Sequence, residues 1–290
     1  MILPTFRPRL LAPILGALIS STLLAQAPKL ELPQASPTAT IKQRVGVTDI
    51  EITYSRPGVK GRKIFGGLEP WGEVWRAGAN NATKVVFSTP VKLNGTTLPA
   101  GTYGLFALLG QNEWQVIFNK ISAQWGAYQY NPKDDVARIA AKPMNLAQPV
   151  ETFTIDFNDL RDESATLNLT WEKTRVSLKL EVDVVSAVVP QIEAAMAAPG
   201  DKKPYMPAAM FYLDHNLDLK KAVGWMDAAI AEQPKAFYLH YRKAKILAAM
   251  GDKAGARTVS NQSIELAKAD PSPAGPEYIR LNEALIAGLK

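Results

Sequence analysis

The sequence predicts a mainly β N-terminal domain, either a β-sandwich or an open barrel of antiparallel strands, followed by an all-α C-terminal domain of repeated helical hairpins. Three observations predict it. Apolar and polar residues alternate from Ala39 to about Val185, as in strands with one buried and one solvated face. Turn signals such as Asn94-Gly95 separate the short apolar runs. From about Ser186 the chain is Ala-rich and its apolar residues follow a helical period.

The first 27 residues are predicted to be a secretory signal peptide. Arg7 and Arg9 precede an apolar stretch, and the small residues Ala25 and Ala27 follow it. This order is typical of a cleaved signal, and a retained N-terminal anchor is the alternative. We therefore expect a secreted or periplasmic protein with no membrane span once the signal is removed.

The predicted mature chain has three parts. Residues 28–38 are rich in Pro, Ala and Gln and are interpreted as a flexible lead-in. Residues 39–185 form the predicted β domain. Residues 186–290 form the predicted helical domain, because breakers such as Pro204, Pro234 and Pro271 divide an otherwise helical pattern.

Composition excludes several classes of site and partner. The chain has a formal net charge of +6 and no cysteine, so disulfides, thiolate metal sites and Cys nucleophiles are excluded. Its basic residues are dispersed, so no nucleic-acid partner is predicted. His215 and His240 have no second ligand at metal-binding spacing, and we predict neither a metal nor another cofactor. Neither histidine lies near the unusual motifs of the β domain.

Alternation and turns place individual strands. Ile50, Ile52 and Tyr54 mark an early strand, and turns at residues 99–101 and 110–112 delimit the runs TYGLFALL and EWQVIFN. Trp114 and Trp171 are in phase with apolar neighbours two residues away. We therefore predict that both indoles belong to the core.

The helical part contains an internal repeat. Asp218 and Asp252 are 34 residues apart, and both are predicted to be N-caps. The period resembles that of tetratricopeptide repeats, and Ala222, Ala229 and Pro234 fall where that family places small residues and proline. Two units are few for an independent solenoid, so we expect the helices to dock on the β domain or on a partner.

The run from Tyr54 to Thr83 is the most unusual in the chain, because it combines three Arg, two Trp and six Gly. Together with LPAGTYGLFALL, EWQVIFN and QWGAYQYNPKDDVAR, it resembles the bacterial secreted family called domain of unknown function 2911, over about residues 36–185. The family has no established activity, so the resemblance implies a kind of domain and no function. Trp71 and Ala77 stand where the family commonly has Tyr and Thr.

Aromatic and polar side chains in the predicted loops form the candidate ligand site. Flat aromatic faces beside Arg and Asn donors are typical of sites for sugars or peptides. The hypothesis is a non-enzymatic protein that binds a polar ligand such as a carbohydrate, and the alternative is a buried polar network that fixes long loops. The candidate residues are Arg56, Arg62, Trp71, Trp75, Arg76, Asn80, Asn119, Trp125 and Tyr128.

Two other functions stay open. The helical repeats could make the protein a scaffold that binds a protein partner in a groove. Alternatively, a hydrolase could use Asp134 or Asp135 with Glu69 or Glu73 as paired carboxylates. The simpler interpretation of the NPKDD run is a turn with one Asp paired to Arg138.

Overall fold

A computed structural model describes residues 32–200 and 202–289. The predicted signal peptide therefore lies outside the described residues. From residue 36 onward the chain forms one compact unit. Within the described ranges, no helix is long and apolar enough to cross a membrane.

Strands come first and helices second, as the apolar periods predict. The strands in the described part of the chain are β1 (Thr38–Val45), β2 (Thr48–Ser55), β3 (Val74–Trp75), β4 (Thr83–Phe87), β5 (Val91–Leu93), β6 (Thr96–Leu98), β7 (Gly101–Leu108), β8 (Trp114–Asn119), β9 (Asp135–Ala141), β10 (Met144–Asn158) and β11 (Ser164–Val182). The helices are α1 (Val184–Ala197), α2 (Tyr205–Asp214), α3 (Leu219–Glu232), α4 (Phe237–Ala249), α5 (Lys253–Ala269) and α6 (Gly275–Gly288).

The strands form two antiparallel sheets. The larger sheet has the order β1-β2-β4-β7-β8-β9, with β3 paired to β7, and the smaller has the order β10-β11-β5-β6. After β4 the chain leaves the larger sheet, and the β5–β6 hairpin pairs with β11 in the smaller one. Its turn is Asn94-Gly95, with φ of 46° and 84°, so the hairpin that this dipeptide predicts is confirmed.

The two sheets face each other across one hydrophobic core, which makes this part of the chain a β-sandwich. Alternate residues of β2, including Ile50 and Ile52, point into that core, and the intervening residues lie on the outer face. Trp114 and Trp171 are each 1% exposed. The prediction that both indoles are core residues is confirmed.

The helices begin directly after the last strand, where Asp183 caps α1 by accepting a hydrogen bond from the Ser186 backbone N–H. Each of the helices from α2 to α5 packs on the next one along the chain. The carboxylates of Asp218 and Asp252 accept hydrogen bonds from the backbone N–H of Lys221 and Gly255. Both predicted N-caps are confirmed.

The first helices also contact the sandwich. Val188 of α1 and Phe211 of α2 pack against the β core. His215, at the end of α2, places its Nε2 3.1 Å from Oε1 of Glu163, which lies in the β10–β11 turn. The expectation that the helices dock on the β domain is therefore met.

Candidate functional site

Residues 56–79, which we call the cap loop, close one end of the sandwich. The loop joins β2 to β4 and contains β3. Ile64 and Phe65 of the GRKIFG motif are buried, and the Phe65 ring centroid lies 4.7 Å from that of Trp114 and 6.1 Å from that of Trp171. The apolar residues of this motif therefore pack against the aromatic side chains of the core.

Trp75, which the sequence analysis placed among the loop residues of the candidate ligand site, is instead part of that core. Its side chain is 2% exposed, and its ring stacks on Trp171 at 5.8 Å. Its Nε1 donates a 3.1 Å hydrogen bond to the Gly78 carbonyl. The cause is the pairing of Trp75 with Ala107 of β7, which turns the indole towards the facing sheet.

Trp71 lies across the backbone of Gly66. Its ring stacks on Phe65 with centroids 6.4 Å apart, and 37% of the side chain is exposed. A Cβ on Gly66 would collide with the indole Nε1, and Gly66 has a φ of 74° that favours glycine. Trp71 and Gly66 therefore help to pack the cap loop over the core.

Arg56 and Arg62 donate their hydrogen bonds to nearby protein groups. Arg56 Nε donates to the Phe153 carbonyl at 3.1 Å, and Nη2 donates to Thr154 Oγ1 at 2.9 Å. Arg62 donates to two carbonyls within the cap loop, those of residues 58 and 59. Both guanidinium groups thus fasten the loop to itself and to β10.

Glu69 of the cap loop has a strongly raised pKa, and the Arg76 guanidinium is one of the charges that act on it. Burial raises the pKa of Glu69 to about 7, although the charges of Arg76 and Arg62 act in the opposite direction. Arg76 Nε is buried and has no hydrogen-bond partner among the described residues. The Glu69 carboxyl therefore changes its charge near neutral pH.

Asn119 belongs to a satisfied polar network at the start of β9. Its Nδ2 donates to Asp135 Oδ1 at 2.9 Å, and its Oδ1 accepts from the Ile121 backbone N–H. Asp135 also accepts from Tyr130 Oη and from Arg138 Nε, at 2.6 and 2.7 Å. Burial and Asp135 together raise the pKa of Tyr130 to about 12, so this phenol remains protonated.

Asn80 connects the long loop between β8 and β9 to the larger sheet. Its φ of 59° is left-handed, and its Nδ2 donates to the Ser36 carbonyl and to Ser55 Oγ, both at 3.3 Å. Its own carbonyl accepts from the Gly126 backbone N–H at 2.9 Å. Asn80 therefore links β2 to residues 120–131, which we call the groove loop.

The groove loop passes over the outer face of the larger sheet at Gly104 of β7. A Cβ on this residue would lie 2.7 Å from the Ile121 carbonyl oxygen, so only glycine allows so close a crossing. Beneath the loop, Phe106, Ile117 and Ala82 form a small second core.

An open groove of about 450 Å³ lies between the groove loop and strands β1, β2 and β4. Its floor contains Thr53 and Lys84, which face each other across β2 and β4. Trp125, 61% exposed, forms one wall. The complete lining is Thr38, Thr53, Tyr54, Ser55, Asn81, Ala82, Lys84, Ser122, Ala123, Gln124 and Trp125.

Two neighbours of Trp125 differ in burial. Gln124 is buried, and its Nε2 donates to the Ile121 carbonyl at 3.0 Å. Its Oε1 has no hydrogen-bond partner within the described residues. Tyr128 is 84% exposed and lies against Gly126, outside the groove lining.

Comparison with known proteins identifies the β part. The model of the family described as Protein of unknown function (DUF2911) matches residues 36–180. The chain belongs to this family. No curated protein and no solved structure matches it significantly.

The DUF2911 domain does not gather the predicted site residues in one place. Trp125 lines the groove and Asn80 fastens the loop that carries it, whereas Arg56, Arg62 and Trp75 hold or fill the cap. The sequence analysis missed Thr53 and Lys84, because polar residues on the outer face of a strand are ordinary. Only the pairing of β2 with β4 brings these two together.

Two carboxylates of the hydrolase hypothesis, those of Asp135 and Glu73, belong to segments that meet β7 of the DUF2911 domain about five residues apart. Asp135 binds Asn119, which pairs with Gly104, whereas the Glu73 carbonyl accepts from the backbone N–H of Leu109. Five residues of strand span about 16 Å. Catalytic carboxylates of glycosidases are about 5–10 Å apart, so this arrangement does not support that pairing.

Proposed function

We propose that the DUF2911 domain is a non-enzymatic binding module that takes a saccharide in the groove beside Trp125. The observation that carries the proposal is the largely exposed indole at the wall of a groove with a polar floor. Other large indoles of the domain, such as Trp114 and Trp171, are 1% exposed. A volume of about 450 Å³ falls within the range of small-ligand sites.

Sugars suit this combination of groups. The C–H face of a pyranose packs on an indole, and its hydroxyls exchange hydrogen bonds with polar side chains. The groove offers the hydroxyls of Thr38, Thr53 and Ser122. Each hydroxyl has one donor and two acceptor sites, so the existing bond of Thr53 to Thr40 leaves capacity for a ligand.

The test is titration calorimetry of the full mature chain against a glycan panel. We expect binding of at least one saccharide, and a loss of about tenfold or more in affinity in Trp125→Ala. Tyr128→Ala is the matched control, because it removes an exposed aromatic ring from the same loop outside the groove. The proposal fails if no glycan binds or if Trp125→Ala binds as the wild type does.

We further propose that the protein works after export, in the periplasm or outside the cell. The basic, apolar and small-residue order of the first 27 residues supports this. Sequencing the N-terminus of the protein recovered from the periplasm or the medium tests it. An intact Met1 on protein confined to the cytoplasm would contradict it.

A second candidate function is a scaffold for a protein partner, built on the 34-residue period of the helices. Asp218 and Asp252 cap α3 and α5 in the same way, and the equivalent Ala222 and Ala256 are both fully buried. This repetition supports a tetratricopeptide-like arrangement, whose use is to bind an extended or helical segment.

Site-specific photo-crosslinking in the full chain separates this candidate from the first. A crosslinker at Lys245 of α4 should capture one defined partner, and a crosslinker at exposed Lys133, before β9, should not. Equal capture from both positions would count against the scaffold.

A further inference from the structure

We propose that the saccharide in the groove is anionic and that its acidic group pairs with Lys84. This inference rests on the proposed function and names the chemical class of its ligand. Uronate and sulfated sugars share the required chemistry, a negative group at the edge of a ring that retains an apolar face.

Lys84 of β4 is one of the residues that line the groove. On the outer face of the larger sheet it is flanked by Thr53 of β2 and Gly104 of β7. Because Gly104 has no side chain, the position beside Lys84 in β7 is covered by the crossing backbone of the groove loop and presents no side chain to the lysine. On its other side, Thr53 Oγ1 is hydrogen-bonded to Thr40 Oγ1 at 3.1 Å, and neither group bears a charge.

Among the residues that the structure describes, Lys84 is the only lysine, arginine, aspartate or glutamate that lines the groove. No carboxylate of the described residues lies within ion-pair distance of its amine. On the neighbouring strand β2, Glu51 lies two residues from Thr53, and it is paired with Lys42 at 3.1 Å. The groove therefore presents one positive charge without a protein counter-charge.

A cation and an exposed indole in one groove select a particular kind of ring. An acidic sugar can pack its C–H face on Trp125 and direct its anionic group to Lys84, while its hydroxyls bond to Thr and Ser. A neutral sugar would leave the lysine unpaired, and an acidic peptide would make less use of the hydroxyl floor.

Matched pairs of ligands test the inference in the full mature chain. We would titrate oligogalacturonide against its methyl ester, and sulfated galactan oligosaccharide against its desulfated form. At low salt the acidic member of a pair should bind about 5- to 10-fold more tightly, and added salt should reduce the difference. Whichever pair shows it identifies the acidic group as carboxylate or sulfate.

Three lysine variants locate the effect. Lys84→Met should abolish the preference for the acidic member, and Lys84→Arg should retain it. Lys42→Met removes the same net charge from the same face outside the groove, and it should keep the preference. Thermal melting of each variant confirms that it is folded.

The outcomes separate this inference from the proposed function. Equal affinity for acidic and neutral sugars, with binding still lost in Trp125→Ala, overturns the inference and leaves the proposed function standing. A preference for acidic sugars that survives in Lys84→Met also overturns it. If no saccharide binds, or if an acidic peptide binds more tightly than every saccharide, both proposals fall.

Discussion

The cap loop and the groove loop use similar residues in opposite ways. Both contain several aromatic residues, and both carry motifs that resemble the family. In the cap loop, Phe65 and Trp75 point into the sandwich and are nearly inaccessible. In the groove loop, Trp125 and Tyr128 point to solvent. A motif with many unusual residues therefore indicates that the backbone passes close to a neighbouring group. It does not by itself indicate a ligand site.

A glycine lies at a close approach in each region. Gly66 allows the indole of Trp71 to lie on the cap backbone, and Gly104 allows the groove loop to cross β7. In each case an added Cβ would meet a neighbouring group at less than contact distance. The four predictions below test the contrast between a loop that stabilises the fold and a loop that shapes a groove.

The largest effect is expected for Trp75→Ala in the cap loop. Removing this core indole leaves a cavity beside Trp114 and Trp171 and should lower the free energy of unfolding by about 3–5 kcal/mol. Urea denaturation measures it. A loss below 1 kcal/mol would show that Trp75 is not part of a tightly packed core.

Gly104→Ala should have the next largest effect on stability. The new methyl group would press on the Ile121 carbonyl, and the strain should lower the free energy of unfolding by up to about 3 kcal/mol. Gly224→Ala is the matched control, because a Cβ there meets nothing within 4 Å; it should stabilise α3 by about 0.5–1 kcal/mol. Equal effects of the two substitutions would contradict the close crossing.

Glu69→Gln should remove a pH dependence. In the unfolded chain the carboxyl ionises near its ordinary pKa of 4.5, but in the folded protein the pKa is about 7. The wild type therefore loses stability as the pH rises from about 4.5 to 7, and the loss persists above pH 7. The variant should be more stable than the wild type by about 2 kcal/mol at pH 8.

Denaturant unfolding at pH 4 and pH 8 measures this difference. At pH 4 the Glu69 carboxyl is protonated in both states, so the variant and the wild type should have similar stability. Glu73→Gln changes an exposed carboxyl in the same loop and serves as the control. A Glu69→Gln effect that is the same at both pH values would contradict the raised pKa.

The smallest effect on folding is expected for Trp125→Ala. Its indole is 61% exposed, so the free energy of unfolding should change by about 0.5 kcal/mol or less. A loss comparable to that of Trp75→Ala would show that Trp125 supports the fold, and any effect of its removal on ligand binding would then lose its meaning.

Much of the fold was predictable because it depends on local periodicity and turn chemistry. The change from a period of two to a helical period, the Asn94-Gly95 turn and the N-caps at Asp218 and Asp252 are confirmed. The candidate site was only partly predictable. Trp75 lies in a strand of two residues, too short to show alternation, and its burial depends on its pairing with β7.

The sequence by itself determined which segments become strands and helices, where several turns and caps lie, and which family the β domain belongs to. These properties depend on residues close together in the chain. Only the tertiary structure decided that Thr53, Lys84 and Trp125 share one groove while Trp75 is buried. The reason is that strand register and loop crossing join residues far apart in sequence, and neither leaves a local pattern.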